Sequence, residues 1–250
     1  MNTQEKLQAF LKEFQQVAPN EAKLLADFCN LPNIGPRLLK APASSAIRYH
    51  QAYSGGLIDH SIDVVRITLR TALNQCTPYT ENGITGFYPT HERVGFIPTK
   101  DIYLAGFLHD FNKIGDVTGQ EWYLRNVLKN GSVSDKIPFA TNDNLYKTAS
   151  LAPGPGNPED QATKYLVRTC WENMPEGDLS LSLVYAYAPL LFAALSEDAK
   201  FTIRHHDGYY GNGRNSLRGK ESPLQIMLHY ADMWSSRIGN EDLRSAVGIH

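Results

Sequence analysis

Two imidazoles and two carboxylates in this chain sit where polar groups are costly: His60, His109, Asp110 and Asp232. In the stretch Asp101–Lys113, Ile102, Ala105 and Leu108 recur at helical spacing, and Leu104, Phe107 and Phe111 widen the stripe. A helix that apolar is expected to be buried on most sides. It carries His109 and Asp110 inward, where a charged carboxylate needs a partner. His60 lies beside the stripe of Ile58, Ile62 and Val65, and Asp232 beside that of Leu228, Ala231 and Trp234. Together the four groups make a donor set for one hard or borderline divalent ion, with positions left for water and substrate. Such an ion lowers the pKa of bound water and draws charge from a phosphoryl oxygen. Lys113, one turn beyond His109, brings a cation to the same phosphate. Each residue alone has a plainer reading: a helix end complementing the dipole for His109 and Lys113, a hydrogen-bonded core histidine for His60. Their recurrence on separate apolar helices favours the metal reading.

The elements that must hold these groups are mostly helices. An amphipathic helix is expected over Thr3–Val17, with Leu7, Phe10, Leu11 and Phe14 on one face, and a second from an Asn20 cap through Phe28. Leu31–Ala43, with three prolines and a glycine, reads as irregular, and Arg37 within it as a surface arginine. The pair Gly55-Gly56 opens the helix bearing His60, which runs to about Cys76. Thr77–Thr99 reads as a loop broken by Pro78, Gly83, Gly86, Pro89, Gly95 and Pro98, long enough to be a lid or substrate loop. A small β-hairpin is expected from Trp122–Leu128 and Val133–Phe139 around Asn130-Gly131. Helices are expected over Glu159–Asn173 and Val184–Leu195, then from a Ser196 cap toward His205-His206-Asp207-Gly208. Adjacent histidines cannot both face one core, so His205 and His206 are expected to differ in role. Arg214, Arg218 and Lys220 follow in a glycine-rich stretch suited to an anion. The last helix starts at Ser222-Pro223 and carries Asp232.

The 250 residues suit one large domain or a domain with appendages, and 42% hydrophobic against 20% charged residues is ordinary for a globular protein. With 24 basic and 26 acidic residues there is no electrostatic footprint for long duplex nucleic acid. Cys29, Cys76 and Cys170 form no paired spacing, which speaks against a thiolate zinc site and for a reducing, cytoplasmic compartment. No apolar run is long enough for a bilayer, and the N-terminus reads as amphipathic helix instead of a signal peptide.

The order His60, His109-Asp110, Asp232 resembles the HD superfamily of metal-dependent phosphohydrolases. Leu108-His-Asp-Phe-Asn-Lys113 is similar to its His-Asp-x-x-Lys signature. The wording Gly55-Gly56-Leu57-Ile58-Asp59-His60-Ser61, with His205-His206-Asp207-Gly208 and Leu228-His229-Tyr230-Ala231-Asp232, looks closest to the branch of bacterial 3′-to-5′ exoribonucleases. The resemblance covers Tyr49 to Arg237 in three blocks. It implies an all-α fold, an HD-type helical bundle over 49–250 with 1–48 as an N-terminal helical appendage and the hairpin as an insertion. His60, His109, Asp110 and Asp232 would hold a divalent transition metal (Mn, Co, Ni, Fe or Zn, with Mg also considered). His205 or His206 would supply a second ion or a phosphate donor, with Asp110 bridging. Asp110 and Lys113 are the expected catalytic residues, and His50, Arg214 and Arg218 the expected substrate-binding ones. Asn112 stands where the family often has glycine. The nucleic-acid-binding domain of the exoribonucleases has no counterpart in these residues, so a nucleotide or short oligonucleotide is the expected small phosphorylated substrate. Two other readings remain open at this point: a di-iron oxygenase of the same fold, and a non-catalytic nucleotide-binding protein with a structural metal.

Overall fold

The computed structural model describes residues 1–45, 50–89, 95–119, 121–126, 132, 135, 138–141, 176–208 and 220–237. Among these the chain is mostly helical. Helix α1 (Thr3–Val17) opens with a reciprocal capping box between Asn2 and Glu5 and buries Leu7, Phe10, Leu11 and Phe14. Helix α2 (Pro19–Cys29) begins one residue before the expected Asn20 cap, because Pro19 fits the first helical position, where no N–H is needed. A single turn, α3 (Gly35–Leu38), interrupts the segment expected to be irregular.

Helix α4 (Gly56–Gln75) follows Gly55, whose φ of 84° suits glycine. Gly56 is held tight as well, since a Cβ there would lie 1.9 Å from the Gln51 carbonyl oxygen. Helix α5 (Thr99–Leu108) crosses α4 closely at Gly106, and all its residues but Lys100 are buried. It ends at His109, and a 3-10 turn follows over Phe111–Ile114 in place of further α-helix. Helices α6 (Glu176–Tyr187) and α7 (Pro189–Ala194) replace the expected continuous Val184–Leu195 helix, and α8 (Glu197–Arg204) follows. Pro189 excludes helical geometry at the residue before it, and Ala188 sits at φ −142°, ψ 64°. Ser196 caps α8 by accepting the Ala199 N–H, as expected. Helix α9 (Pro223–Arg237) carries Asp232 and lies along α4.

Residues 77–89 and 95–99 are not the expected loop. They form an antiparallel meander, β1 (Thr77–Glu81), β2 (Ile84–Tyr88) and β3 (Ile97–Pro98), so the fold is not purely α. The residues read as breakers have places in it. Pro78 and Pro98 occupy the two edge strands, where a missing N–H is tolerated. Gly86, in the central strand, lies under the Phe96 ring and close to the Ile97 carbonyl. Asn82-Gly83, both at positive φ, makes the two-residue hairpin turn. The second hairpin pairs β4 (Tyr123–Arg125) with β5 (Phe139–Thr141), so its second strand starts where the expected one ends. Its Asn130-Gly131 turn and the expected Glu159–Asn173 helix lie outside the described residues.

One apolar cluster joins α1 and α2 to α4, α5, α6 and α8. Phe10 stacks on Phe107 at 5.0 Å and Phe14 on Tyr103 at 4.7 Å, so the N-terminal helices share the core that holds α5. A smaller cluster of Phe87, Ile97, Ile102, Leu224 and Met227 seats the meander. No described helix is long and apolar enough to cross a membrane.

Candidate metal centre

The four candidate ligands come from α4, the end of α5 and α9, and their side chains meet. One ligand atom from each of His60, His109, Asp110 and Asp232 lies within 4.8 Å of the others. His60 Nε2 is 3.1 Å from Asp232 Oδ1 and 3.5 Å from Asp110 Oδ2. His109 Nε2 is 3.3 Å from His60 Nε2 and 3.5 Å from Asp110 Oδ2. Two imidazoles and two carboxylates with converging donor atoms fit a divalent ion.

Local chemistry fixes the direction of these donors. His109 Nδ1 donates to the Gly106 carbonyl at 2.8 Å, which turns Nε2 toward the cluster and leaves it the lone pair of the neutral ring. His60 Nδ1 is 3.1 Å from the Ser235 hydroxyl, again leaving Nε2 for the cluster. Asp110 sits in the break between α5 and the 3-10 turn. Ser180 of α6 braces that break: its hydroxyl accepts the Asn112 N–H at 2.9 Å and lies 3.0 Å from the His109 carbonyl oxygen. Ser180 and Ser235 went unnoticed in the sequence, where a serine on a helix carries no pattern.

Electrostatics follow from burying two carboxylates among bases. Burial works against the Asp110 anion, but the Lys113 ammonium and His109 outweigh it and hold the carboxyl well below its usual range. Burial likewise opposes the Asp232 anion, and its hydrogen bond to His60 prevails, so Asp232 is lowered too. Burial lowers His109 to about 4, so it is neutral and fit to ligate near neutral pH. His60 is raised, burial being outweighed by its bonds to Asp110 and Asp232.

Lys113 is buried and its ammonium ion-pairs with Asp110. His206 faces the cluster: its Nε2 is 3.4 Å from Asp110 Oδ1, and Nδ1 donates to the Ile203 carbonyl at 2.8 Å. Burial would lower His206, but the bond to Asp110 and the charge of Asp207 push it up to about 10. His205 points elsewhere, its ring centroid 4.7 Å from that of Phe201. His229 locks the His206 turn by donating from Nδ1 to the His206 carbonyl at 2.7 Å. That ring packs over Gly208, where a Cβ would come within 2.8 Å of it. His50 lies beside His60, ring centroids 4.6 Å apart, and neither of its ring nitrogens has a hydrogen-bond partner among the described residues. Burial, reinforced by His60 and Lys113, lowers it to about 2. Arg214 and Arg218 lie outside the described residues, and Lys220 is exposed.

Comparison with protein-family models, with curated proteins and with solved structures finds no match to this chain.

Proposed function

We propose that this chain is an HD-type, metal-dependent phosphohydrolase that cleaves a phosphate ester of a nucleotide or short oligonucleotide. The observation that carries the reading is the convergence of His60, His109, Asp110 and Asp232, from three helical elements, on one buried point. These four residues would hold the ion. When bound, such an ion supplies hydroxide near neutral pH and withdraws charge from a phosphoryl oxygen.

The remaining roles belong to the protein. Lys113, fixed against Asp110, keeps a cation beside the reacting phosphate and offsets the charge that develops there. The two oxygens of Asp110 face different imidazoles, Oδ2 toward His60 and His109 and Oδ1 toward His206. His206 would therefore either help hold a second ion or donate from Nε2 to a phosphoryl oxygen. His50, buried without an acceptor, would hydrogen-bond a substrate oxygen. Ser180 and Ser235 act by positioning: they hold the Asp110 turn and the His60 ring.

The test is a screen of nucleoside mono-, di- and triphosphates and short oligonucleotides with the protein loaded with Mn, Mg, Co, Ni, Fe or Zn. Phosphate ester cleavage that needs metal and disappears in His109→Ala is expected. Metal binding without cleavage of any substrate would overturn the reading in favour of a structural metal, and oxygen consumption confined to the iron form would favour an oxygenase.

A further inference from the structure

Beside Lys113 lies a cavity of about 330 Å³ whose lining includes Arg37, Lys40, Ser54, Lys113, Glu121 and Arg125. Four of these side chains are cationic and one is acidic. Lys113 is matched by Asp110, which leaves Arg37, Lys40 and Arg125 opposed by the exposed Glu121. The sequence reading of Arg37 as a plain surface arginine does not survive, for it is half-buried. Its Nε donates to the Asn33 carbonyl at 2.7 Å and its Nη1 to the Asp116 carbonyl at 2.8 Å. Those two bonds fix the guanidinium plane but go to neutral carbonyls, and Nη2 is buried with no acceptor among the described residues. Burial lowers its pKa, and Tyr187, Asp116 and Glu121 act against that through space. Arg125 is set across the Phe139 ring, its Cζ 4.9 Å from the centroid.

A buried guanidinium nitrogen without an acceptor is costly. One left inside a cationic cavity is explained by an acceptor that arrives with a ligand. A phosphate suits it: several oxygens, negative charge and a geometry that arginine recognises well. The cationic walls come from the α3 region, from the 3-10 turn after α5 and from β4, so only the folded chain assembles them. Lys113 belongs to both places. Its ammonium touches Asp110 in the metal cluster, and its side chain lines this cavity.

We propose that this cavity is a phosphate subsite that receives a second phosphate of the substrate while the first lies at the metal cluster. The proposal rests on the phosphohydrolase reading and narrows its substrate class to phosphate esters bearing a further phosphate. A nucleoside polyphosphate and a 5′-phosphorylated dinucleotide both supply that chemistry.

The experiment has two arms on the full-length chain. In the first, inorganic pyrophosphate is titrated calorimetrically into wild type, Arg37→Gln, Arg125→Gln and, as a control cation outside the cavity, Arg66→Gln. Binding should weaken about ten- to hundredfold in each cavity variant, the worth of one charge-assisted hydrogen bond, and hold in the control. Arg125→Gln keeps the test open if loss of the Arg37 bonds to Asn33 and Asp116 prevents folding, which circular dichroism reports. Pyrophosphate that does not bind, or binds equally to wild type and Arg125→Gln, overturns the subsite. In the second arm the metal-loaded protein is given a nucleoside monophosphate, a nucleoside diphosphate and a 5′-phosphorylated dinucleotide. KM should rise in Arg125→Gln for one or both of the two-phosphate substrates more than for the monophosphate, and whichever responds identifies the source of the second phosphate. An equal rise for all three overturns the subsite. Turnover of none, with pyrophosphate binding still lost in the variants, overturns the phosphohydrolase reading and leaves the anion site standing.

Discussion

Replacing Gly106 with alanine tests the geometry of the centre from a distance. A Cβ at Gly106 would lie 2.7 Å from Val65 Cγ2, 3.2 Å from Val65 Cα and 3.3 Å from Val65 N. The methyl cannot swing away cheaply, because a helical valine has one strongly preferred rotamer, and the two backbone contacts cannot move without the helix. So α4 and α5 must part by several tenths of an ångström. Overpacking of this kind costs about 1–3 kcal/mol, and the better helix propensity of alanine returns about 1 kcal/mol. A net loss of up to about 2 kcal/mol corresponds to a fall in Tm of up to roughly 8 °C for a chain of this size. The same movement separates His60 on α4 from His109, whose Nδ1 is tied to the Gly106 carbonyl. Metal affinity, measured by competition with a chromogenic chelator, should fall about tenfold, as for other changes to the groups that orient ligands. Val65→Ala should restore part of both losses when added to Gly106→Ala, a non-additivity of neighbours. A Gly106→Ala protein with unaltered Tm and metal affinity would show that the helices do not meet so closely and would remove the stated reason for the ligand spacing.

Four further outcomes are expected. Adding metal to a hundred times its Kd should stabilise the wild-type chain by about 2.7 kcal/mol against thermal unfolding, and Asp232→Ala should abolish that gain. Lys113→Met, which leaves the buried Asp110 without its cation, should destabilise the metal-free chain by up to about 3–5 kcal/mol, less whatever the imidazoles retain; thermal melts should recover more on metal addition than wild type does. Ser180→Ala strands the buried Asn112 N–H and should cost about 1–3 kcal/mol, read in urea unfolding. Asp101 is raised by burial, its Oδ1 having no partner and its Oδ2 only the Ser196 hydroxyl at 2.6 Å. A carboxyl raised on folding adds stability that is whole below its unfolded pKa and is lost as pH rises through the folded one. Asp101→Asn should therefore gain in Tm relative to wild type between pH 4 and pH 7, and a difference that stays constant with pH would count against the reasoning.

The cluster of His60, His109, Asp110 and Asp232 was legible because each member is a polar group on an apolar helix, a conflict visible without coordinates. Long periodic helices such as α1 and α9 were legible for the same reason. Residues 77–99 misled because Pro78, Gly86 and Pro98 are breakers only in isolation; the Asn82-Gly83 pair between strand-forming residues was the signal to follow. The choice between His205 and His206 rests on where α8 ends, a matter of one residue that periodicity does not resolve. Arg37 resisted reading because its burial arises from contacts with Asn33 and Asp116, the latter 79 positions away. Ser180 is nearly as remote from Asn112, 68 positions on.

His60 and its partner Ser235 are 175 positions apart. The residues that meet at the centre are therefore made well apart in time. At about 5–20 residues per second, the His60, His109 and Asp110 side chains leave the ribosome several seconds before Asp232 does. Until then the nascent chain presents an incomplete set, one carboxylate short. Closing so long a loop also costs entropy that only the finished α4–α9 contact repays. The cluster is thus complete only once α9 has packed on α4, so an ion held by all four groups would latch that contact instead of nucleating it.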